Sequence, residues 1–148
     1  MKKLVTLSLA ILMGCSPSNK TTTKSTNNQD YPILDYKIVD TSISWIDVFE
    51  QEEERYLVYF YSEYCGYCKS VKEEFISYYL LNKEKIYFLD AFKEKAIYKN
   101  DPSKLIGGDN IEDFYIPGTP FLVELINWSI TNYYFGAESI KMYVKSNQ

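Results

Sequence analysis

The sequence contains no histidine. That removes Ser-His-Asp and Cys-His catalysis and every metal site built on imidazole. Arginine is almost as scarce: Arg55 is the only one, and the lysines form no cluster. Phosphate recognition leans on the arginine fork or on grouped basic side chains, so a phosphate site and a nucleic-acid partner are both disfavoured. The apolar stretch from Leu4 to Met13 has ten residues, against about 20 for a membrane-spanning helix. Cysteine is limited to three residues, at positions 15, 65 and 68. A closed zinc site takes four ligands, so no metal is expected unless two chains share one.

The N-terminus carries an address. Met1-Lys2-Lys3 is basic, the ten apolar residues have the length of a signal h-region, and the segment ends Leu12-Met13-Gly14-Cys15-Ser16. That ending resembles a bacterial lipobox, in which the chain is cut before the cysteine and the cysteine is lipidated. The resemblance implies a lipoprotein signal peptide over 1–14, lipidation of Cys15, and a location on the extracytoplasmic face of a bacterial cell membrane. The competing reading is an ordinary secretory peptide with a chance cysteine. More than one acyl chain gives stable anchoring. Loss of Lys2 and Lys3 would take the net charge from −4 to −6. Ser16 to Asp30 is rich in Ser, Thr, Asn and Lys and has no large apolar residue. It predicts a flexible tether of roughly 20 Å reach. Residues 31–148 are then one domain with one core.

Inside that domain the informative motif is Cys65-Gly66-Tyr67-Cys68. It follows the apolar run Tyr56-Leu-Val-Tyr-Phe-Tyr61, a buried strand, and opens the amphipathic stretch from Lys69 to Leu80, a helix. Two thiols three positions apart at a helix start can close to a disulfide and reopen. The free N–H groups and partial positive charge of the helix end favour the thiolate of the first. A purely structural disulfide over so small a ring would stabilise little. Redox chemistry is therefore the leading reading. Fifteen Tyr, eight Phe and two Trp make the chain 17% aromatic. These read as core filling, with an aromatic peptide- or glycan-gripping surface as the sharper alternative.

Periodicity places a first strand over 31–39 and a helix from Asp40, Thr41 or Ser42 through Phe49, ending in the acidic run 50–54. The central strand follows over 56–62, a helix over 65–81 and a second buried strand over 85–91. That β-α-β-α-β order argues for parallel strands joined by crossover helices. Asp101-Pro102-Ser103 is a turn or helix start, and Asp109 or Asn110 caps a short helix through Phe114. Strands over 121–126 and 130–135 form a hairpin turning at Asn127-Trp128-Ser129. Gly136 breaks the strand before a closing helix over 137–145.

This order resembles the thioredoxin fold, an α/β class with a central mixed β-sheet flanked by helices. Phe60-Tyr-Ser-Glu-Tyr-Cys-Gly-Tyr-Cys-Lys69 looks like the family's active-site segment, Gly118-Thr119-Pro120 like its cis-proline loop, and Gly136 like a glycine ahead of its last helix. The resemblance implies a thiol–disulfide oxidoreductase that needs no cofactor. Cys65 is the attacking thiolate and Cys68 the resolving thiol. Thr119 and a cis Pro120 present backbone to the substrate chain, which adds like an edge strand. Gly66 and Tyr67 tune the potential, with Tyr64 and Lys69 flanking. The Gly-Tyr pair with Thr before Pro is similar to bacterial periplasmic disulfide isomerases, which leans towards oxidation or isomerisation. Expected partners are protein or peptide thiols and disulfides of exported proteins, plus a separate redox partner that resets the site. The alternative is a non-catalytic accessory or chaperone lipoprotein for an exported peptide, such as the bacteriocin-transport accessory proteins that share the fold. One departure stands out: the buried acid the family carries near the second cysteine aligns with Tyr59, a poor proton acceptor at neutral pH.

Overall fold

The computed structural model describes residues 35–36, 39–82 and 84–148. The expected signal segment, Cys15, the tether and most of the expected first strand lie outside the described residues. Six regular elements follow in chain order: β1 (Arg55–Tyr61), α1 (Gly66–Leu81), β2 (Ile86–Asp90), β3 (Phe121–Ile126), β4 (Ser129–Phe135) and α2 (Ala137–Ser146). The strands form one mixed sheet in the order β2-β1-β3-β4, with β2 parallel to β1 and the other two pairings antiparallel.

β1 is the axis of this sheet. Every residue from Tyr56 to Tyr61 is buried, which is why it reads as a continuous apolar run rather than an alternating one. Its two faces feed two different cores. Leu57, Tyr59 and Tyr61 pack with Val71 and Phe75 of α1 and Ile140 and Val144 of α2. Tyr56, Val58 and Phe60 face the opposite way, towards Val48, Leu105, Phe114 and Ile116. The strand period of two thus splits one apolar run between two layers.

Among the described residues the second layer holds only short 3-10 turns, Trp45–Asp47 and Pro102–Leu105, and here the structure corrects the sequence reading. The helix expected over 40–49 is a single 3-10 turn, Trp45–Asp47. Just before it the chain is committed to the sheet edge: Phe88 N–H donates to the Thr41 carbonyl (2.9 Å) and Ile43 N–H to the Phe88 carbonyl (3.0 Å). Backbone groups used in that bridge are lost to a helix. Among the described residues the first sheet contact falls at Ser42, paired with Phe88. The helix expected to end at Phe114 is also absent. Asn110 Oδ1 accepts the Asp113 amide at 3.0 Å, and Ile116 N–H then leaves to join the Ile97 carbonyl at 2.8 Å. In place of helices, an aromatic cluster closes this face: Phe114 lies 4.9 Å from Trp45, 5.4 Å from Phe49 and 5.6 Å from Phe60 between ring centres.

The hairpin and the closing helix form where the sequence places them. Asn127 and Trp128 both take positive φ (49° and 59°), the geometry of a two-residue turn that matches strand twist. The strain at Trp128 is held by its indole N–H donating to the Gln51 carbonyl at 2.7 Å. Gly136 takes φ +83° as it leaves β4 for α2, a conformation that side chains with a Cβ disfavour.

At the end of the sheet reached by Arg55, a polar knot ties three elements. Glu84 accepts the hydroxyls of Tyr78 (2.6 Å) and Tyr143 (2.7 Å) on one oxygen. Its other oxygen pairs with Arg55 at 3.1 Å. Glu84→Ala would strand two phenols and is expected to cost about 2–4 kcal/mol. The denaturation midpoint of the reduced protein checks this; an unchanged midpoint would contradict it.

Candidate active site

The register of the sheet brings the candidate residues together. β1 pairs antiparallel with β3, with Phe60 opposite Phe121. The segment that follows β1 and the segment that precedes β3 therefore meet at the same end of the sheet. The first carries Cys65 and the second carries Thr119 and Pro120, whose peptide bond is cis.

Cys65 is the N-cap of α1, with extended backbone (φ −84°, ψ 114°). Its sulfur accepts the Cys68 amide at 3.1 Å and its S–H donates to the Thr119 carbonyl at 3.2 Å. A cap position normally filled by an oxygen acceptor is thus filled by sulfur, at the positive end of a 16-residue helix. Both cysteines are free, Cys65 half-buried and Cys68 buried. Burial, reinforced by contact with Cys65, pushes the Cys68 thiol up to about 12. The two sulfurs are therefore unequal: one reachable and held by an N–H donor, the other inside and kept protonated.

Gly66 faces open space. Tyr64 and Tyr67 stand in solvent, 77% and 74% exposed, and Tyr64 meets Phe92 edge-on with ring centres 5.0 Å apart. Thr119 is half-buried, Pro120 buried and Lys69 exposed. Cys15 lies outside the described residues. Among the described residues, no group of three or more His, Cys, Asp or Glu is placed to hold a metal ion.

The sequence reading missed Tyr36, which it assigned to a strand face. Its hydroxyl donates to the Cys68 carbonyl at 3.3 Å and contacts the Tyr59 hydroxyl at 3.0 Å. Since Tyr36 has one proton and gives it to Cys68, Tyr59 is the donor to Tyr36. Burial raises both phenols above their ordinary values. Tyr59 is therefore no proton acceptor; it braces the first turn of α1 through Tyr36. The available signal was Tyr59 itself, because a buried phenol requires a partner.

The thioredoxin family model matches residues 37–99, which include both cysteines. Over that stretch the chain is similar to thioredoxin. Its likeness extends to yeast mitochondrial thioredoxin 3 in the oxidised form, at 13% identity, 72% of this chain, 93% of that one and a TM-score of 0.48. Thioredoxin from Plasmodium falciparum is similar at 18% identity, over 73% of this chain and 96% of that one, with a TM-score of 0.46. Thioredoxin f2 from Chlamydomonas reinhardtii is similar at 17% identity, over 72% and 93%, with a TM-score of 0.47. Among curated proteins there is no match.

The inequality of the two thiols predicts an alkylation order. Iodoacetamide at pH 7–8 should modify Cys65 of the reduced native protein and spare Cys68 until the protein unfolds or the pH approaches 12. Peptide mass analysis checks this, and equal labelling of both at pH 7–8 would contradict it.

Proposed function

We propose that this thioredoxin-fold protein is a membrane-anchored thiol–disulfide oxidoreductase that exchanges disulfides with exported proteins. One observation carries the redox reading: a reachable sulfur, Cys65, sits on a helix start beside Thr119 with a second free thiol buried behind it. In the reducing direction, the Cys65 thiolate attacks a substrate disulfide and forms a mixed disulfide, releasing one substrate thiol. Cys68 then attacks Cys65 sulfur, the mixed bond breaks, and the second substrate thiol leaves. Two electrons pass from the cysteine pair to the substrate. The oxidising direction is the reverse. A second protein must reset the pair, and Thr119 offers its backbone to the substrate strand.

The anchoring part rests on the sequence of residues 1–15: a basic start, a short apolar run and a lipobox-like Gly14-Cys15. It places the domain on the extracytoplasmic face of a bacterial membrane, where exported proteins acquire disulfides.

The full chain should reduce insulin or unscramble ribonuclease, and Cys65→Ser should abolish that activity. A wild-type chain that binds peptides but exchanges no disulfide would instead mark a binding module. The reduction potential sets the direction: about −270 mV marks a reductant, and about −180 to −120 mV an isomerase or oxidant. Cys15→Ala should move the chain from the membrane to the soluble fraction; retention on the membrane would contradict the anchor.

A further inference from the structure

The proposed exchange ends in a ring closure. Cys68 sulfur attacks Cys65 sulfur, the bond between the two forms, and the bond from Cys65 to the substrate breaks. The substrate leaves as a thiol, taking up a proton in place of the one Cys68 gives to solvent. How favourable the closure is depends on how firmly the two residues are held together. Both belong to the start of α1, with Cys65 as its cap. The start of a helix is its least supported part, because its first amides have no partners inside the helix.

The usual supports for such a turn are few here. Gly66 opens the helix and faces open space, and glycine has the most backbone freedom to lose on ordering. No acidic side chain stands in the first turn, where a negative charge would suit the helix dipole. The cap is the Cys65 sulfur, the atom that must itself react.

One support comes from outside the helix. The Tyr36 hydroxyl donates to the Cys68 carbonyl at 3.3 Å and lies 3.0 Å from the Tyr59 hydroxyl. The other side of the same peptide group, the Lys69 amide, donates to the Cys65 carbonyl at 3.2 Å. A continuous line of hydrogen bonds thus runs from Tyr59 through Tyr36 and the Cys68–Lys69 peptide to Cys65, and each link polarises the next. Both phenols are buried and kept protonated by that burial, so both stay donors. Stacking on Tyr61 fixes the Tyr36 ring, and Tyr59 belongs to β1. The line ties the cysteine turn to the centre of the sheet.

We propose that Tyr36, seated by Tyr59, is a positioning residue for disulfide exchange, holding the Cys65–Cys68 turn in the shape in which the pair closes. It acts through the Cys68 peptide and neither takes nor gives the thiol proton. Without the two hydroxyls the sulfurs and the Thr119 contact remain, but the turn opens more often and the closed pair is less favoured.

This rests on the disulfide-exchange reading, and the experiment separates the two. The full chain is equilibrated at pH 7 with mixtures of reduced and oxidised glutathione, in which closure passes two electrons to one glutathione disulfide and yields two glutathione thiols. The samples are quenched and alkylated, and the closed fraction of the Cys65–Cys68 peptide is read by mass. Wild type is compared with Tyr36→Phe, Tyr36→Phe/Tyr59→Phe and Glu84→Ala. The double variant decides the matter, since it strands no hydroxyl, whereas Tyr36→Phe alone leaves Tyr59 without its partner. In the double variant the equilibrium constant for closure should fall about tenfold, which makes the reduction potential roughly 30 mV less negative. Tyr36→Phe should shift it in the same direction. Glu84→Ala, which weakens the fold at the other end of the helical layer, should keep the wild-type constant, because a loss of stability shared by the open and closed forms cancels from it. An unchanged or higher constant in the double variant, or an equal fall in Glu84→Ala, would overturn the positioning role and leave the exchange reading standing. A wild-type pair that never closes in oxidised glutathione would overturn both.

Discussion

The site depends on one sulfur atom held between two distant pieces of chain. Cys65 Sγ takes the Cys68 amide from its own helix and touches the Thr119 carbonyl, 54 residues away. The first contact is local and follows from an N-cap position. The second exists only because β1 and β3 are paired in one register. A slip of one residue in that pairing would turn every β3 side chain to the wrong layer, and it would carry Thr119 away from the sulfur. The chemistry at the end of the sheet is therefore set by packing within it.

That packing is aromatic to an unusual degree. Tyr59 lies 4.2 Å from Phe75 and 5.7 Å from Phe88 between ring centres, and Tyr36 stacks on Tyr61 at 3.9 Å. Most of these phenols carry an apolar ring inward and still find a hydrogen-bond partner, as buried tyrosines must. Among the described residues no buried side-chain polar atom is left unpaired. The tyrosines thus serve twice, as core volume and as struts. The Tyr59–Tyr36–Cys68 chain fixes the first turn of α1, and the Tyr78–Glu84–Tyr143 knot fixes the opposite end of the helical layer.

Much of this was legible in the residues. β1, α1 and the β3–β4 hairpin follow from local patterns: an apolar run, helical spacing behind Cys68, and turn residues at 127–128. The cysteine pair and Pro120 were legible as a constellation. What failed was decided at long range. Ile43, Ile46, Val48 and Phe49 have a helical spacing, but Ile46 is 67% exposed and the backbone at Thr41 and Ile43 is claimed by Phe88. The spacing there is coincidental, and edge pairing overrides it. Tyr36 carries no local signature at all, since its role exists only once α1 is docked beside it. The aromatic excess was read as core filling, which describes Tyr56 and Phe75 well but overlooks the hydroxyl work of Tyr36 and Tyr59.

The central claim is a division of labour: Cys65 attacks and Cys68, kept protonated inside, resolves. Trapping tests it directly. The full chain carrying Cys68→Ser is mixed with scrambled ribonuclease and the products are separated without reductant. The account predicts an accumulating mixed disulfide through Cys65, with none from Cys65→Ser. Equal trapping by the Cys65→Ser variant through Cys68 would contradict it.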